Sequence, residues 1–117
     1  MISVAHRFHG YGSLRGVYQS GQTVRGPLMN LRYGLRDRHK PYRLAVVVSR
    51  KVSKSAVVRN RIRRRIYEAV RQSSVDIEPG TDMIITVFDE QLAEQESAKL
   101  RAAIDELLQK VAKQATK

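Results

Sequence analysis

Apolar residues along this chain recur in two rhythms, and the switch between them predicts the elements. Over residues 55–72, Val58, Ile62, Ile66, Ala69 and Val70 return at helical spacing. At about 100° per residue they form one stripe about 120° wide. Leu100, Ile104, Leu107, Leu108 and Val111 form a second stripe within a helix expected over residues 94–113. A shorter pattern, Leu14, Val17 and Tyr18 at i, i+3, i+4, predicts a first helix capped by Ser13 and ended by Gly21. Gly16 inside it costs about 1 kcal/mol relative to Ala, so this helix should depend on tertiary packing. Three segments read as extended. Residues 23–33 carry Val24, Leu28 and Leu31, interrupted by Gly26-Pro27, which favours an edge position or a bulge. Residues 43–49 centre on Val46-Val47-Val48, and residues 82–88 follow a Pro79-Gly80 turn. Between the first two of these, residues 34–42 are charged, contain Pro41 and read as a hairpin loop. The order α-β-β-α-β-α predicts an α/β, two-layer sandwich of helices on a small sheet. With no repeat or linker, residues 1–117 read as a single domain with an ordered core of about 7–113.

Size agrees with one core, since 117 residues are too few for two ordinary domains. The apolar runs are strand-length, far short of a membrane span. Cysteine is absent, so disulfides and thiolate chemistry are excluded. No charged-then-apolar signal pattern opens the chain, and a cytoplasmic location is the expectation.

Charge changes the picture most. The net is +11, but residues 1–67 hold sixteen Lys/Arg against a single acid, Asp37, while residues 68–117 hold six against ten. A field this one-sided attracts polyanions. An anionic membrane surface would need an apolar helical face open to lipid, and the basic helix needs that face for the core. Nucleic acid is therefore the favoured partner.

The basic helix shows how. Arg59 and Arg63 flank its apolar stripe on one side, Arg61 and Arg65 on the other, and Asn60 and Arg64 point away. The planar guanidinium donates two hydrogen bonds to a phosphate and stays charged. Arg59/Arg63 and Arg61/Arg65 are like-charge i, i+4 pairs, which disfavour an isolated helix; a phosphate backbone would offset that repulsion. A merely solvated face would mix signs, yet no acid occurs between Asp37 and Glu68. DNA readers usually expose such a helix from a helix-turn-helix or a dimer. Here it is tied between two strands, which favours RNA.

Arg59-Asn60-Arg61-Ile62-Arg63-Arg64 resembles the RNR motif of the bacterial ribonuclease P protein family. The approach Val48-Ser49-Arg50-Lys51, with Lys54 following, is similar to the family's, as are Leu14-Arg-Gly-Val-Tyr18 upstream and Asp82-Met-Ile-Ile-Thr-Val downstream. The likeness runs over roughly residues 7–111. It implies an uncommon left-handed crossover joining two parallel strands through the basic helix, in a fold shared with a ribosomal-protein domain. It also implies a ribozyme cofactor: an RNA subunit using Mg²⁺ cleaves the 5′ leader from precursor tRNA, and the protein itself binds no cofactor and supplies no catalytic residue. Its partners would be ribonuclease P RNA and precursor tRNA, with no membrane or protein partner implied. By that resemblance Arg50, Lys51, Lys54, Arg59, Asn60, Arg61, Arg63, Arg64 and Arg65 would bind RNA. Leu14, Tyr18, Arg32 and Tyr33 would line the leader cleft. Three departures stand out: Leu14 and Arg32 stand at or near positions where many members carry an aromatic residue, and Tyr67 where many carry a further Arg.

Other residues offer little chemistry. His6 and His9 have i, i+3 spacing but no third ligand nearby, and with His39 complete the histidines. Asp82, Asp89 and Glu90 flank a strand and could suggest a nuclease metal site, but solvation or a helix cap at Asp89 is the simpler reading. Tyr18, Tyr33 and Tyr42 fit either the core or base stacking; Tyr67, opposite the apolar stripe, is expected at the surface. A structural RNA-binding role, as in a ribosomal protein, is the other class of function open to this charge pattern, with a stand-alone nuclease a distant third.

Overall fold

Four strands and two helices make up the described part of the chain, residues 21–35 and 39–115 of a computed structural model. The predicted first helix, with Ser13, Leu14, Val17 and Tyr18, lies outside the described residues, as do His6, His9 and Asp37. In order come β1 (Gln22–Arg25), β2 (Met29–Leu35), β3 (Arg43–Val47), α1 (Ala56–Gln72), β4 (Thr81–Val87), a 3-10 turn (Glu90–Ala93) and α2 (Ser97–Ala115).

The segment expected as one interrupted strand is a hairpin. Gly26 N donates to Met29 O at 3.0 Å, closing a turn around Pro27, so β1 and β2 pair antiparallel with Val24 opposite Leu31. A Cβ on Gly26 would sit 3.0 Å from Met29 O and 3.4 Å from Leu107 Cδ2, which explains the glycine.

The larger correction is topological. Residues 34–42 do not join neighbouring strands of a hairpin. The sheet order is β1-β2-β4-β3: β4 inserts between, antiparallel to β2 and parallel to β3. The physical reason lies in β4, Thr81-Asp-Met-Ile-Ile-Thr-Val87, which is buried on both faces. A strand that apolar gains most from a central place with a partner on each side. A parallel neighbour then requires a crossover long enough to span the sheet, and α1 supplies it.

Both helices cover one face. Leu31, Tyr33, Leu44, Val46, Met83, Ile85 and Val87 from the strands share a core with Ile62, Ile66, Ala69 and Val70 of α1 and the Leu100–Val111 stripe of α2. Both predicted stripes are buried, except that Val58 at the start of α1 is only partly so. At the far end of α1, Gly80 takes φ 84° after Pro79, and Thr81 N and Oγ1 both donate to Glu78 O, at 3.2 and 2.7 Å. Asp89 does cap, but it caps the 3-10 turn: its Oδ1 accepts from Gln91 N at 2.9 Å. That turn delays α2 to Ser97, three residues later than expected.

Candidate nucleic-acid interface

The approach to α1 is built from three serines. Ser55 is the helix N-cap, its Oγ accepting from Val58 N at 3.3 Å. Ser53, buried beneath the loop, accepts through Oγ from Ser55 N at 3.2 Å, and Ser49 O accepts from Val52 N at 3.1 Å. Arg59 reaches back one turn, Nη1 donating to Ser53 O at 2.9 Å. The helix and its entry loop thus hold each other, and Arg50, Lys51, Lys54 and Arg59 surround an open cleft of about 550 Å³ with no acid in its lining.

Along α1 the structure sorts the cations by what they already touch. Arg50, Lys51, Lys54 and Arg64 are exposed, without a hydrogen bond or ion pair among the described residues. Asn60 is exposed and accepts from Arg63 through Oδ1. Arg61 pairs with Glu94 at 3.2 Å, both side chains well exposed, a contact that water and salt weaken. Arg65 differs. Half-buried, it donates to Leu92 O at 2.5 Å and to Gln95 O, fastening the 3-10 turn and the start of α2 to α1. Expected among the RNA contacts, it is spent on internal carbonyls. The sequence does not reveal this, because the two carbonyls lie 27 and 30 residues away.

Tyr67, expected at the surface, is half-buried against the core, its hydroxyl 3.5 Å from Leu44 O. The ring packs against the core and keeps only part of its surface in solvent.

Of the four expected leader-cleft residues, Leu14 and Tyr18 lie outside the described residues. Arg32 and Tyr33 are brought to opposite faces of the sheet, as successive strand residues must be. Tyr33 faces the helices and is 5% exposed, donating to Gln22 Oε1 at 3.1 Å and lying 2.5 Å from Gln114 Oε1. Burial pushes its phenol pKa up. It belongs to the core, and its ring has no open face for a base. Arg32, on the other face, donates from Nη1 to Thr23 Oγ1 at 3.0 Å.

Of the three carboxylates considered for a metal, Asp82 and Asp89 are otherwise engaged and Glu90 is exposed. Asp82 is 5% exposed and forms a bidentate pair with Arg43, Oδ1 to Nε at 2.9 Å and Oδ2 to Nη2 at 2.7 Å. Donating to Asp82 raises the Arg43 pKa above its ordinary value. Asp82 is thus neither solvated nor a cap. No group of three or more metal-ligating side chains occurs among the described residues. No helix there is long and apolar enough to cross a membrane.

Missed by the sequence reading is Arg101. It stands on α2 across a groove of about 580 Å³ from Arg61, Arg64 and Arg65, floored by buried Ala69 and Leu100. It falls in the acidic half of the chain, which hid it.

Residues 3–112 match the model of the Ribonuclease P family. The chain belongs to the ribonuclease P protein family. A ribonuclease P protein component from Synechococcus sp. is 32% identical over 94% of this chain and 84% of its own length. The fold is that of the Staphylococcus aureus RNase P protein, with TM-score 0.72 at 23% identity over 93% of this chain and 96% of that one. The RNase P protein from Thermotoga maritima superposes similarly, with TM-score 0.71 at 21% identity over 83% of this chain and 89% of that one. Within this ribonuclease P fold the parallel β3–α1–β4 unit carries the whole Arg59–Arg65 run and presents its entry loop at one end of the sheet.

Proposed function

We propose that this chain is the protein subunit of a ribonuclease P holoenzyme, binding the catalytic RNA and the 5′ leader of precursor tRNA while that RNA removes the leader. The observation that carries the reading is the cluster of cations along the entry loop and α1 that are unpaired among the described residues, Arg50, Lys51, Lys54 and Arg64, with Arg59 and Arg61 beside them, in a chain of this family. Cations without internal partners are those able to displace counterions from a phosphate backbone. The protein's part is then electrostatic: it offsets phosphate repulsion that Mg²⁺ must otherwise screen. Mg²⁺ belongs to the RNA subunit in this reading, and the scissile phosphodiester is cleaved there. Family membership over nearly the whole chain favours this role over that of a ribosomal protein.

On the leader side we assign phosphate contact to Arg32 and stacking to Tyr18, since Tyr33 is buried. The test is reconstitution. The purified protein alone should cleave no precursor tRNA, and at low Mg²⁺ it should raise cleavage by a ribonuclease P RNA. Metal-dependent cleavage by an RNA-free, nuclease-free preparation would overturn the assignment.

A further inference from the structure

Arg101 is exposed and makes no ion pair or hydrogen bond among the described residues, although acids stand close to it in sequence and in space. Asp105, one turn further along α2, is turned to Ser73, whose Oγ donates to it at 2.5 Å. Glu68, across the groove, is held by Arg71 Nε at 3.0 Å and Gln72 Nε2 at 3.2 Å. The Arg71 hydrogen bond keeps the Glu68 carboxyl below its ordinary range, so it is an anion already matched. Glu94 lies with Arg61. Among the described residues, Arg64 and Arg101 therefore face the same groove with their charge uncompensated, and Arg65 beside them bonds only to neutral carbonyls.

Of the four guanidinium groups lining the groove, Arg64, Arg65 and Arg101 have no carboxylate partner among the described residues, and they repel one another unless an anion enters. The groove also has an apolar floor, Ala69 and Leu100, between its cationic walls. A sugar–phosphate strand fits both: phosphate oxygens take bidentate guanidinium bonds, and ribose carbons lie against the floor. We propose that the α1–α2 groove seats a stretch of ribonuclease P RNA backbone, held from one wall by Arg64 and from the other by Arg101. The RNA surface then runs over two helices rather than one. The occupant is the RNA subunit rather than precursor tRNA because Arg61 and Arg64 make the groove continuous with the cluster assigned to that RNA.

This inference rests on the ribonuclease P reading, and the experiment separates the two. Binding of ribonuclease P RNA is titrated against salt for the full chain carrying Arg101→Ala, Arg101→Glu, Arg101→Lys, Lys99→Glu or Arg64→Ala. Lys99 is exposed on the same helix, about 200° round from Arg101 at about 100° per residue, and does not line the groove. Arg101→Ala should weaken binding about four- to eightfold at 0.1–0.2 M salt and lower the salt slope by about 0.7–0.9, the worth of one phosphate contact. Arg101→Glu should lose more, Arg101→Lys should keep most of the affinity, and Lys99→Glu should lose much less than Arg101→Glu. Equal losses from the two Glu variants would mean a diffuse field and would overturn the groove. So would an Arg101→Glu effect confined to precursor tRNA binding by the assembled holoenzyme. Loss with Arg64→Ala but none with any Arg101 variant overturns the groove alone; no loss with either overturns the RNA-subunit reading as well.

Discussion

The five arginines of α1 between Arg59 and Arg65 are identical as letters and are not equivalent as groups. Arg64 is exposed with no partner among the described residues, whereas Arg65 carries the carbonyls of Leu92 and Gln95. Replacing Arg65 with Ala leaves the buried Leu92 turn without its donor, and unsatisfied buried carbonyls cost about 1–3 kcal/mol each. Arg65→Ala should therefore lower stability in a denaturant titration by about that much. Arg64→Ala should leave stability within about 0.5 kcal/mol, as for a surface site, and lower RNA affinity and its salt slope. The opposite pattern would mean the two side chains have been assigned the wrong way round. Arg43 and Asp82 teach the same lesson. A basic residue at a strand start and an acid at another read as solvated charges, yet parallel pairing sets Arg43 opposite Asp82 and makes them a bidentate pair.

At the scale of elements, α1 both closes the sheet and displays the cations. Ile62 and Ile66 are fully buried under it, against β3 and β4. Ile66→Ala should cost about 2–5 kcal/mol by transfer and cavity terms, read as a shift of the denaturation midpoint. RNA affinity per folded molecule should stay nearly unchanged in that variant. A tolerated Ile66→Ala would show that the helix is not anchored by this stripe. The like-charged i, i+4 pairs foreseen from the sequence are partly relieved inside the fold: Arg59 turns to Ser53 O, Arg63 to Asn60 and Arg65 to Leu92. What is not relieved, Arg64 and the entry loop, is what an external phosphate can use.

Across the whole molecule, sixteen cations before residue 68 against one acid leave a surface that repels itself. Ligands that bind only the folded state stabilise it by mass action, by about 2.7 kcal/mol at about a hundred times Kd. Ribonuclease P RNA should accordingly raise the melting temperature well beyond what sodium chloride does at equal ionic strength, and less so in Arg64→Ala. An RNA effect no larger than that of salt would reduce the interface to simple screening.

What the chain's own order of residues determined is everything set by local spacing. The stripes of α1 and α2, the Pro79-Gly80 turn and the basic run with its RNR resemblance are all short-range patterns, and the fold keeps each of them. Tertiary structure alone decided which strands are neighbours and which polar groups are already occupied. β4 displaced the expected β2–β3 hairpin because burial on both faces favours a central strand, a comparison of whole sheets that no local window contains. Tyr33 went to the core, Tyr67 partly against it, Arg65 to distant carbonyls and Arg101 to the groove, because each assignment depends on residues far away in the chain. Period and propensity act within a few residues; partnership is fixed only when the sheet closes.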